Sequence, residues 1–264
     1  MRICAKCGDV VKKRDYALVQ RNHDIPLHKL PKLSSINLKK LYNKKTVRTN
    51  KNKLYLITKP NRAVFYFAAT PRDFAKPILS YPSAYGNYSN SGHTIADSRG
   101  RAEFSVQCPQ VYERDGKTFP HHIHYMISNA ARTKWLPKIF TTALICDIDK
   151  QGVRKYLKSA KVLVIDALPA EYYKKRHIPS AINMYHMTAR RWSPAKMVKK
   201  IRELAPDMSK KAKTTAELKK MPIIVYCYSH ECGAARDLIL RLYRAGFHNV
   251  LHYAGGIVDW TGKK

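Results

Sequence analysis

Acidic residues are scarce in this chain of 264 residues: 18 Asp and Glu stand against 50 Lys and Arg, for a formal net charge of +32. No acid lies between Asp24 and Asp73, a span that holds twelve Lys or Arg from Lys29 to Arg72. A second basic stretch, RRWSPAKMVKKIRELAPDMSKKAKTTAELKK, runs from Arg190 to Lys220. Such an excess repels itself in a compact chain and argues for a polyanionic partner, nucleic acid first among them. No base-reading motif accompanies it, so attraction to a phosphate backbone is the expected mode. A solvated basic surface is the plain alternative.

Other absences narrow the class. No run of about eighteen apolar residues occurs, so no transmembrane helix is expected. The N-terminus, MRICAKCGDVV, carries a cysteine pair where a signal peptide has its apolar stretch, so no such leader is expected. Six cysteines in a chain of this size do not make a disulfide framework. They suit a reducing intracellular compartment, where thiols serve chemistry, metals or cores. No internal repeat is visible.

Three parts follow from the patterning. Residues 1–50 are short, basic and aperiodic. Residues 51–150 carry short apolar or alternating runs, LYLIT, AVFYFAA, AEFSVQC, HIHYMI and FTTALICDI, separated by the turn-formers YGNYSNSG, DSRG and ERDG. That pattern predicts a small antiparallel β domain. In residues 151–264 the buried runs KVLVIDAL, PIIVYC and NVLHY alternate with the helical stretches AEYYKKRH and ARDLILRLYRAGF, which predicts an α/β domain with a parallel sheet.

The segment VYCYSHECGAAR places Cys227 directly after a buried strand and just before a helix. A nucleophilic cysteine needs exposure, a lowered pKa and a cradle for the anion it becomes. A strand end followed by a helix N-terminus offers inward amides and a favourable dipole. Phosphatase chemistry needs Arg six residues after the Cys, and that position is Gly233, with Arg236 three residues too late. Zinc is disfavoured, because Cys227 and Cys232 have only His230 close by. Cys232 is read as either a resolving or disulfide-forming thiol, or a small residue at the helix start facing the core.

Around this segment the chain resembles the rhodanese family over about residues 155–262. The matching residues are Asp166, Glu171, Tyr172, His177, Ile178, Pro179, Ala181, Ile182 and Asn183 in VLVIDALPAEYYKKRHIPSAINM, then PIIVYC, then AGFHNVLHYAGGIVDW. The resemblance implies a sulfurtransferase, in which Cys227 carries sulfane sulfur as a persulfide. The amides of Tyr228, Ser229, His230, Glu231 and Gly233 would cradle it, a small sulfur donor and an acceptor thiol would be the partners, and no cofactor would be needed. Three departures stand out. Leu168 replaces the family's Arg after the strand, Arg176 replaces a Gly, and a basic insert of 29 residues, Ser193 to Met221, separates the HIPSAIN segment from the next strand.

Two metal sites are candidates. His122 and His124 alternate in HIHYMI and so share one strand face. With Asp97, Gly100, Phe104, Pro109, Tyr112, Pro120 and Ile123, they resemble the transthyretin-like sandwich of intradiol dioxygenases. That resemblance implies iron held by Tyr112, His122, His124 and a second tyrosine, Tyr88 with Tyr85 as the alternative. A plain β-sandwich with two histidines on one strand is the other reading. At the N-terminus, Cys4, Cys7, His23 and His28 have spacing close to that of a zinc finger, against a basic tail.

The expected fold is therefore a multidomain α+β chain: an antiparallel β-sandwich followed by an α/β rhodanese-like domain with a parallel sheet, plus a short basic N-terminal segment. The expected function is rhodanese-type sulfur transfer or thiol redox on a protein associated with nucleic acid or an acidic assembly. The alternative is a non-catalytic basic protein of a virion or ribosome that uses the same fold as a scaffold.

Overall fold

The computed structural model describes residues 9–10, 53–81, 83–159 and 162–262. The proposed zinc ligands Cys4, Cys7, His23 and His28 lie outside the described residues. Among the described residues there are fourteen strands and eight helices. The first ten strands are β1 (Asp9–Val10), β2 (Lys53–Ile57), β3 (Ala63–Ala68), β4 (Leu79–Ser80), β5 (Ser91–Ile95), β6 (Arg101–Ser105), β7 (Tyr112–Arg114), β8 (Lys117–Phe119), β9 (His122–Ile127) and β10 (Phe140–Asp147). Then come α1 (Lys150–Ser159), β11 (Leu163–Asp166), α2 (Ala170–Lys175), β12 (Ile182–Asn183), α3 (His186–Ala189), α4 (Pro194–Leu204), α5 (Pro206–Lys211) and α6 (Thr215–Lys220). The chain closes with β13 (Ile223–Tyr226), α7 (Ala234–Arg244), β14 (Val250–Tyr253) and α8 (Gly256–Thr261).

The C-terminal region is a mixed α/β fold built on a parallel sheet, in the order β12-β11-β13-β14-β10. Its strands are buried on both faces, which is why they read as continuous apolar runs. One face packs Ile165, Val225 and Val250 against Leu238, Ile239 and Leu242 of α7. The other packs Val164, Ile224 and Leu251 against Val153 of α1 and Ile257 of α8. The basic insert folds into α4, α5 and α6. Ser193 caps α4 and a Thr214–Glu217 capping box starts α6. Met197, Ile201 and Leu218 turn an apolar stripe into the core, while the lysines stay outside.

Residues 53–147 are mostly antiparallel. β3 lies between β5 and β9. Its alternate residues serve two cores: Val64, Tyr66 and Ala68 meet Leu56, Ala102 and Phe104 of the β2–β6 pair, while Phe65 and Phe67 meet Tyr85, Tyr112 and Met126. Burial on both faces explains the run AVFYFAA.

β10 joins the two regions. Phe140 to Ala143 pair antiparallel with β9, and Cys146 and Asp147 pair parallel with β14, so a single sheet runs through both parts. Cys108 and Cys146 are disulfide-bonded, with Cα atoms 5.8 Å apart. Their sequence spacing gave no hint of this pairing.

Candidate functional site

β13 ends at Tyr226, and Cys227 follows at the carboxyl edge of the parallel sheet, where ligands of such sheets bind. The next residues form a loop whose peptide planes are fixed from behind. The carbonyls of Cys227 and Tyr228 accept the N–H groups of Ile257 and Val258 in α8, at 2.9 and 3.1 Å. With the carbonyls held backwards, the amides face the sulfur. Those of Tyr228 and Ala235 favour the thiolate of Cys227, and those of Tyr228 and Ala234 that of Cys232. Ala234 and Ala235 open the eleven-residue helix α7, so the helix dipole favours negative charge at the same point.

Cys227 Sγ lies 3.1 Å from the Cys232 carbonyl oxygen, and the two thiols are close enough to shift each other's ionisation. Cys227 is buried; Cys232 is partly open to solvent. They titrate as a pair sharing one proton. With the charge on Cys232, its pKa is lowered to about 5, chiefly because the Cys227 S–H donates to it, helped by the Tyr228 and Ala234 amides and by His186. The remaining thiol, Cys227, is pushed up, first by that same bond and then by burial. The first ionisation of the pair is therefore easy and the second is hard.

Of the loop residues singled out in the sequence, Tyr228 turns its amide to the sulfurs. Ser229 stabilises the loop, its carbonyl accepting Cys232 N–H at 3.0 Å. His230, Glu231 and Gly233 are exposed on the outer side. Sequence reasoning missed Ala234 and Ala235, although their place at the head of the amphipathic helix was the available signal. It also missed His186 on α3, 3.4 Å from Asp237 of α7, which no spacing connects to Cys227. Asp166 is buried at the end of β11, and burial raises its pKa. Its Oδ1 accepts Leu168 N–H at 2.8 Å, and Asn183 Nδ2 donates to the Leu168 carbonyl at 2.8 Å. The Asp166 and Asn183 matches thus brace the turn beside the thiols. Arg176, the departure from Gly, stacks its guanidinium 5.8 Å over the Tyr228 ring.

With this geometry in place, the family model of the rhodanese-like domain matches residues 149–263. The C-terminal region is a rhodanese-like domain. Among solved structures, the human single-domain sulfurtransferase is similar at 18% identity, covering 45% of this chain and 96% of its own, with a TM-score of 0.34. A single-domain sulfurtransferase of Saccharomyces cerevisiae is similar at 18% identity, covering 47% and 94%, with a TM-score of 0.34. A thiosulfate sulfurtransferase of Pseudomonas aeruginosa is similar at 24% identity, covering 46% and 20%, with a TM-score of 0.31. No curated protein matches the chain.

A second cluster lies outside the rhodanese-like domain. On the face of β9 that meets Phe67, the atoms Tyr85 Oη, Tyr112 Oη, His122 Nε2 and His124 Nε2 converge. Tyr85 Oη is 3.3 Å from Tyr112 Oη, 3.3 Å from His122 Nε2 and 2.8 Å from His124 Nε2. Tyr112 Oη is 3.1 Å from His122 Nε2, which is 3.2 Å from His124 Nε2. All four side chains are buried. Tyr88, the first choice for the second tyrosine, is not among them; its alternative, Tyr85, is. Tyr88 closes a tight turn, its N–H bonded to the Tyr85 carbonyl at 2.9 Å and its φ at +57°, and its hydroxyl meets Tyr81 instead.

A third group, Cys108, His121 and Cys146, brings three ligand-type atoms within 4.8 Å of one another, all buried. The bond between the two sulfurs occupies their coordinating capacity. No described helix is long and apolar enough to cross a membrane.

Gly256 tests the brace behind the loop. Its φ is +61°, and a Cβ there would sit 2.5 Å from the Cys227 and Tyr228 carbonyl oxygens. Gly256→Ala is expected to cost about 2 kcal/mol or more of stability. It should also slow thiol alkylation at neutral pH, because the displaced carbonyls turn the amides away. A denaturation midpoint and an alkylation rate equal to wild type would refute the brace.

Proposed function

We propose that the chain is a rhodanese-type sulfur carrier. The observation that supports this best is the set of amides from Tyr228, Ala234 and Ala235 turned onto the Cys227–Cys232 thiols at the head of α7. The one proton shared by the pair passes to Cys232, and the Cys227 thiolate so exposed attacks the outer sulfur of a donor such as thiosulfate. A new S–S bond forms, the donor's S–S bond breaks, and sulfite leaves with the bonding pair. The resulting persulfide anion takes the place of the thiolate among the amides, and an acceptor thiol removes the sulfur. Arg176, over Tyr228, supplies positive charge near the mouth for an anionic donor. Sulfur transfer of this kind needs no cofactor.

Association with nucleic acid or another polyanion belongs to the same proposal on the strength of the +32 charge, as does a place in a virion or ribonucleoprotein particle. The test is intact mass after brief thiosulfate treatment. Wild type should gain sulfur or show its turnover as released sulfite, and Cys227→Ser should do neither. Inertness of wild type with a free thiol would overturn the carrier reading and favour the scaffold alternative.

The convergent tyrosines and histidines support a second reading for residues 51–150, as a transthyretin-like β domain holding iron. The residues fit a metal. His122 Nδ1 lies 2.6 Å from the Pro120 carbonyl, which can only accept, so its N–H sits there and the lone pair of Nε2 faces the cluster. His124 Nδ1 is held by Thr141 Oγ1 at 2.8 Å. Such outer bonds orient metal-binding imidazoles. Burial raises the pKa of Tyr85 and pushes that of Tyr112 up to about 12, and a trivalent cation among them would reverse that preference. Ferric iron at Tyr85, Tyr112, His122 and His124 would supply Lewis acidity to two phenolates. Four buried protein ligands are the form of a closed, metal-holding centre, and ring cleavage is not carried over. Ferric ion added to the protein should produce a visible tyrosinate charge-transfer band, lost or shifted in Tyr85→Phe and kept in Tyr88→Phe. No band, or one unchanged in Tyr85→Phe, would sink this reading.

A further inference from the structure

We infer that Cys232 resolves the Cys227 persulfide within the same loop, so that the site delivers free sulfide and closes as an intramolecular disulfide. The inference rests on the sulfur-carrier reading of Cys227. Three observations carry it. Cys227 Sγ lies 3.1 Å from the Cys232 carbonyl oxygen, so the loop already folds the second cysteine back onto the first. They share one set of amides, with Tyr228 N–H serving both. Cys232 is also the more open of the two, which leaves it reachable by a reductant while Cys227 stays buried.

The step balances. The Cys232 S–H gives its proton to the outer sulfur of the persulfide anion, and the Cys232 thiolate so formed attacks the Cys227 sulfur; the Cys227–Cys232 bond forms and the bond to the outer sulfur breaks. The outer sulfur leaves as hydrosulfide with the bonding pair, so it is reduced while Cys232 is oxidised. Its proton is the one Cys232 gave up. His186, positioned by Asp237 at 3.4 Å and close enough to lower the Cys232 pKa, favours the attacking thiolate. The disulfide so formed returns to two thiols by exchange with a dithiol reductant, which leaves as its own disulfide. The partner class is therefore a dithiol, where a lone-cysteine site would hand its sulfur to a single acceptor. The open edge of the loop, at the exposed residues Glu231 and Gly233 beside Cys232, is where it would approach.

The experiment compares wild type, Cys232→Ser and Cys232→Ala, each full length and pre-reduced, after thiosulfate treatment without reductant. Sulfide and intact mass are read together, and circular dichroism checks that each variant is folded. Wild type should release one sulfide per chain and end two hydrogens lighter. Both variants should keep the mass of one added sulfur and release sulfide only when a thiol is supplied. A dithiol should then restore wild type for a second round. If wild type and the variants hold the added sulfur equally, the resolving role is wrong and the carrier reading survives. If the folded variants and wild type all fail to take sulfur from thiosulfate, the carrier reading falls and this inference falls with it.

Discussion

The eight residues of β10, Phe140–Asp147, are asked to pair in two directions. Their first half runs antiparallel to β9 and their last two residues run parallel to β14. Everything of chemical interest is placed relative to this strand. Thr141 holds the ring of His124, and Ala143 lies opposite His122. Cys146 is tied to Cys108. Asp147 bonds His252 Nδ1 on β14 at 2.8 Å, both buried. A backbone ladder shared in this way makes the β region and the rhodanese-like domain one continuous sheet. The rhodanese-like match begins at residue 149, two residues after this strand ends.

At the thiol site the controlling effect is orientation of peptide planes. An isolated cysteine in an apolar setting holds its proton, because burial disfavours the thiolate. Here burial does raise the cost. The interaction with Cys232 raises it for Cys227 still more; amides aimed inward because α8 has taken the carbonyls oppose it, and the first charge of the pair settles on Cys232. Loop, helix start and α8 are thus one unit, although α8 begins some thirty residues after Cys227 in the chain.

Much of this was legible beforehand. The strands LYLIT, AVFYFAA, HIHYMI, VLVID, IIVY and VLHY and the helix ending before Gly246 all lie where periodicity put them. Cys227 was legible because a strand-to-helix turn is local. Tyr112, His122 and His124 were legible through alternation on one strand and a family pattern. The rest depended on contacts between distant segments. Tyr85 rather than Tyr88 faces the histidines because of a tight turn with positive φ, which composition does not reveal. The Cys108–Cys146 bond joins a loop to β10 across a separation of 38 residues. His186 reaches Cys232 only because α3 packs on α7. The insert looked like a charged surface, and its apolar stripe of Met197, Ile201 and Leu218 emerged only once α4 and α6 lay on the sheet.

The most direct measurement is the alkylation rate of the reduced protein against pH, for wild type and Cys232→Ser. The account predicts a wild-type rate that stays level through neutral pH and falls only as the pH drops toward about 5, where the shared proton returns. In Cys232→Ser the midpoint should move up, since the thiol-to-thiol bond is gone, yet remain below the ordinary thiol value of about 8.5 because the amides remain. A wild-type midpoint at that ordinary value would contradict the claim that the amides and the thiol-to-thiol interaction let the Cys227–Cys232 pair lose its first proton easily.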